Sequence, residues 1–239
     1  YEQQRDAEAI QNLRQAIRLQ PNYAAAHYWL GRVYAAQKRY AEAVESYTQA
    51  VRINPNDAAA YFGLGSAYYN QQRYPEAVKA YERSTRLDPN NALAFNYLGD
   101  AYDYAGRAAE AIEAYTRAFN LNPNDADTNF DLGLSYSRQR RYAEAIESYK
   151  RAIRLQPTDA STYNNLGDVY TALGRYGEAI DQLKQAIRLQ PTLALAYYNL
   201  GRAYKMKKNK KAAMEQYRTL QRLDPELAQE LLSQINDQR

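Results

Sequence analysis

Residues 58–91 read AAAYFGLGSAYYNQQRYPEAVKAYERSTRLDPNN. Two amphipathic patterns lie in this stretch. In the first, Tyr61, Leu64, Gly65 and Tyr68 fall three and four apart, on one helical face; in the second, Ala77, Tyr81 and Ser84 do the same. Pro89 closes the second pattern, and Asn91 stands where the next helix is capped. Stepping outward by 34 residues brings the pattern back. The prolines at 21, 55, 89, 123, 157, 191 and 225 keep that interval, leaving only Pro75 off it. The same step aligns Leu30, Leu64, Leu98, Leu132, Leu166 and Leu200, the glycine after each, and Tyr34, Tyr68, Tyr102, Tyr136, Tyr170 and Tyr204. A fixed period of this length means stacked supersecondary units, each burying its apolar face on its neighbours.

Further columns complete the pattern: Ala43, Ala77, Ala111, Ala145, Ala179 and Ala213, then Tyr47, Tyr81, Tyr115, Tyr149, Leu183 and Tyr217. The sequence resembles the tetratricopeptide-repeat family, whose units run from a large residue through Leu-Gly, Tyr, Ala, an aromatic and Ala to Pro. The implied fold is all-α, a right-handed solenoid of antiparallel helix pairs. Full repeats are expected at 24–57, 58–91, 92–125, 126–159, 160–193 and 194–227. A half-repeat at 1–23 precedes them and a capping helix at 226–239 follows, all in one elongated domain. Asn129, Leu183, Ser84 and Leu220 depart from the columns. The turn inside a repeat usually reads Arg-Tyr, so Arg107-Ala108 and Asn209-Lys210 are expected to pack less well.

The composition excludes several classes of function. There is no cysteine, so thiolate metal sites and disulfides are out of reach, and one histidine, His27, leaves no His-based triad or zinc set. His27 is expected to stand in for the usual aromatic at its repeat position. No phosphate-binding glycine loop occurs. The chain is therefore expected not to be an enzyme and to need no cofactor or metal. Lysine and arginine total 31 against 27 acidic residues, a net charge of +4, and nucleic acid is not the expected partner. Lys205, Lys207, Lys208, Lys210 and Lys211 crowd one turn and read as a solvated surface. No apolar run is long enough to span a membrane. A soluble chain is expected, with the cytoplasm favoured.

Tyrosine is the surplus residue, 25 against four phenylalanines. Most tyrosines fall on repeat columns. Those left over, with the phenylalanines at equivalent places, gather at first-helix positions 5, 6, 12 and 13: Tyr28, Phe62, Tyr69, Tyr97, Tyr104, Phe130 and Tyr198. In the resembled family these positions, with 2 and 9, line a concave groove, and amphipathic aromatics are favoured interface anchors. Polar groove residues vary along the chain. Arg32 opens it, Asn96, Asp100, Asp103, Asp131, Asn164, Asn165 and Asp168 make an acidic, amide-rich middle, and Asn199 and Arg202 close it. The expected function is an interaction scaffold that binds an extended peptide or a partner helix in this groove. Alternatives are a self-assembling scaffold, joined through the open edge at residues 1–21, and the regulatory arm of a larger enzyme. The opening in mid-repeat reads as a segment of a longer repeat array. The Lys/Asn clamp with which some family members grip Hsp70 and Hsp90 tails is absent in every three-repeat frame, so that binding is not expected.

Overall fold

The computed structural model describes residues 2–237, with side chains from residue 7 onward; Tyr1, Gln238 and Arg239 lie outside the described residues. All regular structure among the described residues is helical, and the chain gathers into two compact units, Tyr1–Pro123 and Asn124–Arg239. The first holds α1 (Glu2–Leu19), α2 (Ala24–Ala36), α3 (Tyr40–Ile53), α4 (Ala58–Asn70), α5 (Tyr74–Leu87), α6 (Ala92–Tyr104) and α7 (Ala108–Leu121). The second holds α8 (Ala126–Arg138), α9 (Tyr142–Leu155), α10 (Ala160–Ala172), α11 (Tyr176–Leu189), α12 (Ala194–Met206), α13 (Lys210–Leu223) and α14 (Pro225–Asn236). Within each unit, a first helix pairs with the helix that follows it, and pairs stack on the next first helix.

Local chemistry sets the ends. The side chains of Asp57, Asn91, Asp125 and Asp159 accept from the backbone N–H groups of Ala60, Ala94, Thr128 and Thr162, capping α4, α6, α8 and α10. At the other end of α2 the Arg39 N–H donates to Tyr34 O and Lys38 N–H to Ala35 O, the double bond pattern of a left-handed helix stop. The residue at that stop has positive φ throughout: Lys38 (59°), Gln72 (60°), Gly106 (76°), Arg140 (58°), Gly174 (73°) and Lys208 (61°). Only glycine holds this conformation without Cβ strain. Lys38→Gly, Gln72→Gly, Arg140→Gly and Lys208→Gly are each expected to raise stability by about 0.5 kcal/mol or more. Denaturant midpoints of the single variants check this, and midpoints at or below the parent would refute it.

One device recurs at the turn between paired helices. The arginine before each second helix lies over the preceding tyrosine ring, at 4.5 Å for Arg39 on Tyr34, 4.6 Å for Arg73 on Tyr68, 4.5 Å for Arg141 on Tyr136 and 4.6 Å for Arg175 on Tyr170. It also pairs with the glutamate three residues on, as in Arg73–Glu76 (2.7 Å) and Arg141–Glu144 (2.8 Å). The third repeat keeps the device whole, with Arg107 4.5 Å from the Tyr102 ring and 3.0 Å from Glu110, because nothing in it requires an aromatic at 108. In the sixth repeat Asn209 replaces the arginine and caps α13 through Ala212 N–H.

The core is built from small residues against large rings. Ala43, Ala77, Ala111, Ala145, Ala179 and Ala213 have no exposed surface. The glycine column faces the position-24 ring: a Cβ on Gly31, Gly65, Gly99 or Gly133 would lie within 3.0 Å of Tyr47, Tyr81, Tyr115 or Tyr149. Leu183 takes the place of the ring opposite Gly167. Ser84, in an alanine column, donates its hydroxyl to Ala58 O at 2.9 Å. The sixth repeat differs. Gly201 faces Leu231 of α14 rather than Tyr217, so the last helix reaches into the place a position-24 ring holds elsewhere. His27 does what an aromatic with a polar tip does at its position: its Nε2 lies 3.1 Å from Pro21 O, as the Tyr197 hydroxyl reaches Pro191 O at 3.2 Å.

Candidate functional site

In the first unit the surplus aromatics of α2, α4 and α6 gather into three clusters with rings of α3 and α5. Tyr28 meets Trp29 edge-on at 5.5 Å and leans on Tyr47 at 5.9 Å. Arg32 stacks over Trp29 at 4.6 Å, and the indole is 49% exposed. Gly63 follows at position 6, where a Cβ would come within 2.5 Å of the Tyr47 ring. Phe62 then packs on Tyr81 (5.6 Å) and Tyr97 (5.5 Å), and Tyr97 stacks on Tyr81. At the far end of α4 and α6, Tyr69 meets Tyr104 (5.7 Å) and Tyr74 (5.6 Å), while Tyr74 and Tyr104 stack at 5.0 Å with a 17° tilt. Tyr104 is 63% exposed.

In the second and third repeats the hydroxyl of the position-24 tyrosine meets position 9 of its own repeat. Tyr81 donates to Ser66 Oγ at 3.0 Å, and Tyr115 to Asp100 Oδ1 at 2.7 Å. Burial of the Asp100 carboxyl pushes its pKa up to about 6; the Tyr115 hydrogen bond opposes the rise and the nearby Asp103 charge adds to it. Burial also raises the Tyr69 hydroxyl, with Asp100, Tyr104 and Tyr74 contributing, and brings Tyr47 to about 12. Asn96 and Asp103 are half-buried on the same helix.

In the second unit five of the polar first-helix residues bond to one another. Asn199 Nδ2 donates to Asn164 Oδ1 (3.0 Å), and Asn164 Nδ2 donates to Asn165 Oδ1 (3.1 Å). The Arg202 guanidinium donates to Asp168 Oδ1 (3.0 Å) and Asn199 Oδ1 (3.3 Å). Asn164 and Asn199 are buried, which differs from their expected place on a ligand-facing surface. Tyr198, expected to anchor a ligand, is only 8% exposed: α14 covers it, its hydroxyl donates to Glu230, and Gln234 Nε2 donates back at 2.8 Å. Phe130 packs 6.0 Å from Tyr149, and Asp131 is half-buried on α8.

Structure adds two residues to the expected set, Trp29 and Tyr74. Trp29 occupies a groove position in the sequence. Tyr74 belongs to the turn column, and only the packing of α4 and α6 brings it against Tyr104. Among the described residues no group of three or more His, Asp or Glu is placed to hold a metal ion, and no helix is long and apolar enough to cross a membrane.

Solved structures share this architecture. YrrB, a TPR protein with an unusual peptide-binding site, is 24% identical, with a TM-score of 0.70 over 77% of this chain and 95% of that one. MamA is 26% identical, with a TM-score of 0.66 over 72% of this chain and 94% of that one. PilF of Pseudomonas aeruginosa is 21% identical, with a TM-score of 0.72 over 88% of this chain and 97% of that one. No curated protein matches the chain by sequence. A tetratricopeptide-repeat family model matches residues 164–228. Residues 1–194 match the family model described as the Cilia and flagella-associated protein 70 C-terminal domain, and the chain belongs to that tetratricopeptide-repeat family.

Proposed function

We propose that the chain is a non-enzymatic interaction scaffold that binds an extended peptide segment or a partner helix along its first-helix face. The observation that carries this reading is the three aromatic clusters of the first unit, Tyr28–Trp29, Phe62–Tyr97 and Tyr69–Tyr104, in which Trp29 and Tyr104 lie open to solvent. Rings already ordered by their neighbours lose little freedom on binding and offer large contact areas with polar tips. The similarity to YrrB, a TPR protein with a peptide-binding site, supports the same reading. Its test is selection of binders from a library of extended peptides, followed by affinity measurement on the variant Trp29→Ala/Arg32→Ala. Both side chains are exposed, so the fold is retained. Selected peptides are expected to lose about tenfold or more in affinity. Equal binding by parent and variant would remove the first-helix face of α2 from the site.

Self-association is a second reading. Leu19 is 77% exposed, whereas Leu121, Leu155 and Leu223 at the same repeat position are 38%, 39% and 38% exposed. Covering so open an apolar side chain with a copy of the chain would remove it from water. Light scattering should then give a mass that rises with concentration; a constant monomer mass would rule it out.

A further inference from the structure

Tyr81 and Tyr115 donate their hydroxyls to acceptors at position 9, Ser66 Oγ and Asp100 Oδ1. In the first repeat position 9 is Arg32, a side chain with donors and no acceptor. The equivalent tyrosine there is Tyr47. It is only 3% exposed, and its hydroxyl has no hydrogen-bond partner among the described residues. Buried hydroxyls are ordinarily partnered, so this one needs an acceptor from outside the fold. Burial pushes its pKa up to about 12, with Tyr28 adding to the rise and the Arg32 charge opposing it, so at neutral pH it is a donor. Gly63 of α4 puts no side chain over this oxygen; a Cβ there would lie 3.0 Å from it.

Arg32 brings further donors to the same place. Its guanidinium lies 4.6 Å over the Trp29 ring, and both side chains are exposed. At five turns of the chain a guanidinium stacks in the same way, 4.5–4.6 Å over a tyrosine ring, and bonds the glutamate three residues on. Stacking uses a face of the guanidinium and leaves its in-plane N–H groups for an acceptor. Three residues after Arg32 stands Ala35, and no carboxylate pairs with Arg32 among the described residues.

We propose that Arg32, Tyr47 and Trp29 form a subsite for an acidic side chain of the bound peptide, its carboxylate accepting from the Arg32 guanidinium and the Tyr47 hydroxyl and its methylene stem lying on the indole. The proposal rests on the scaffold reading above and gives its ligand a chemistry. A carboxylate fits better than an amide, because its two charged oxygens accept from both donors at once.

Trp29 is the only tryptophan, so one indole N–H signal in an NMR spectrum reports on the subsite. The test titrates N-acetyl-glutamate amide into the 239-residue chain and follows that signal. A saturable shift in the millimolar range is expected. N-acetyl-glutamine amide, with nearly the same shape and no charge, should bind about tenfold more weakly. N-acetyl-alanine, which carries its carboxylate at a chain end without the stem, should also bind more weakly. Tyr47→Phe keeps the ring and Arg32→Gln alters an exposed residue, so both variants fold; they should weaken glutamate binding about threefold and tenfold. Tyr47→Phe should also keep the parent's urea midpoint, since the fold makes no bond to the hydroxyl. Equal binding of the glutamine compound, equal or tighter binding of N-acetyl-alanine, unchanged glutamate binding in either variant, or a lowered midpoint in Tyr47→Phe overturns the subsite. If the subsite fails while library peptides still lose affinity in Trp29→Ala/Arg32→Ala, the scaffold reading stands without it. If both fail, the first-helix face of α2 is not where this protein binds.

Discussion

Gly99→Val is expected to destabilise the first unit by about 2–3 kcal/mol, and Gly177→Ala to stabilise the second by about 0.5–1 kcal/mol. Both glycines lie inside helices, where propensity alone says that any Cβ helps. Packing reverses the sign at 99. A Cβ there would sit 2.5 Å from Tyr115 Cε1 and 2.6 Å from its Cδ1. The ring cannot swing aside cheaply: it is 2% exposed, and its hydroxyl is tied to Asp100 at 2.7 Å. Valine adds two further methyl groups to a gap that cannot hold the first carbon. At Gly177 no atom lies within 4 Å of the added Cβ, so the helical gain stands unopposed. Urea unfolding of the three proteins checks both signs. A neutral Gly99→Val would mean that the first-helix pairs slide apart more easily than this packing implies.

Asp100→Asn should remove a pH dependence of stability. The folded carboxyl titrates at about 6, above its ordinary value of 3.8, because burial disfavours its charge. The unfolded chain therefore gives up this proton more readily than the folded one. The sign follows: the group costs nothing below about pH 4, its cost grows as pH rises from about 4 to about 6, and it is constant above that. Two pKa units correspond to about 3 kcal/mol at most, and solvent access and relaxation leave about 1–2 kcal/mol as the expected effect. Asparagine is uncharged and still accepts from Tyr115. The variant should be more stable than the parent at pH 7 and no more stable at pH 4, read as the difference in unfolding midpoints at the two pH values. A difference that does not change with pH would mean Asp100 is solvated and unshifted.

Much of the molecule follows from periodicity alone. The 34-residue step, the glycine opposite the position-24 ring, the caps at Asp57, Asn91, Asp125 and Asp159 and the closing prolines are local or one-repeat relations, and chemistry acting over a few residues enforces them. The same short range explains what was not legible. The left-handed stops at Lys38, Gln72, Arg140 and Lys208 carry no residue signal, because the double hydrogen bond at the helix end holds the strained φ that glycine would adopt freely. Ligand-facing residues were harder still. Position 5 is half-buried at Tyr28 and Phe62 yet covered at Tyr198, because α14 packs there and leaves Leu231 opposite Gly201. Asp100 and Asp168 share a column and look alike in sequence, yet Asp100 accepts from Tyr115 while Asp168 pairs with Arg202. Tyr74 joins Tyr104 only because two neighbouring helix pairs stack. A repeat pattern specifies how each unit is built, since every unit solves the same local problem. Which side chains stay free to bind depends on what the next repeat places against them, and that neighbour is reached through space rather than along the chain.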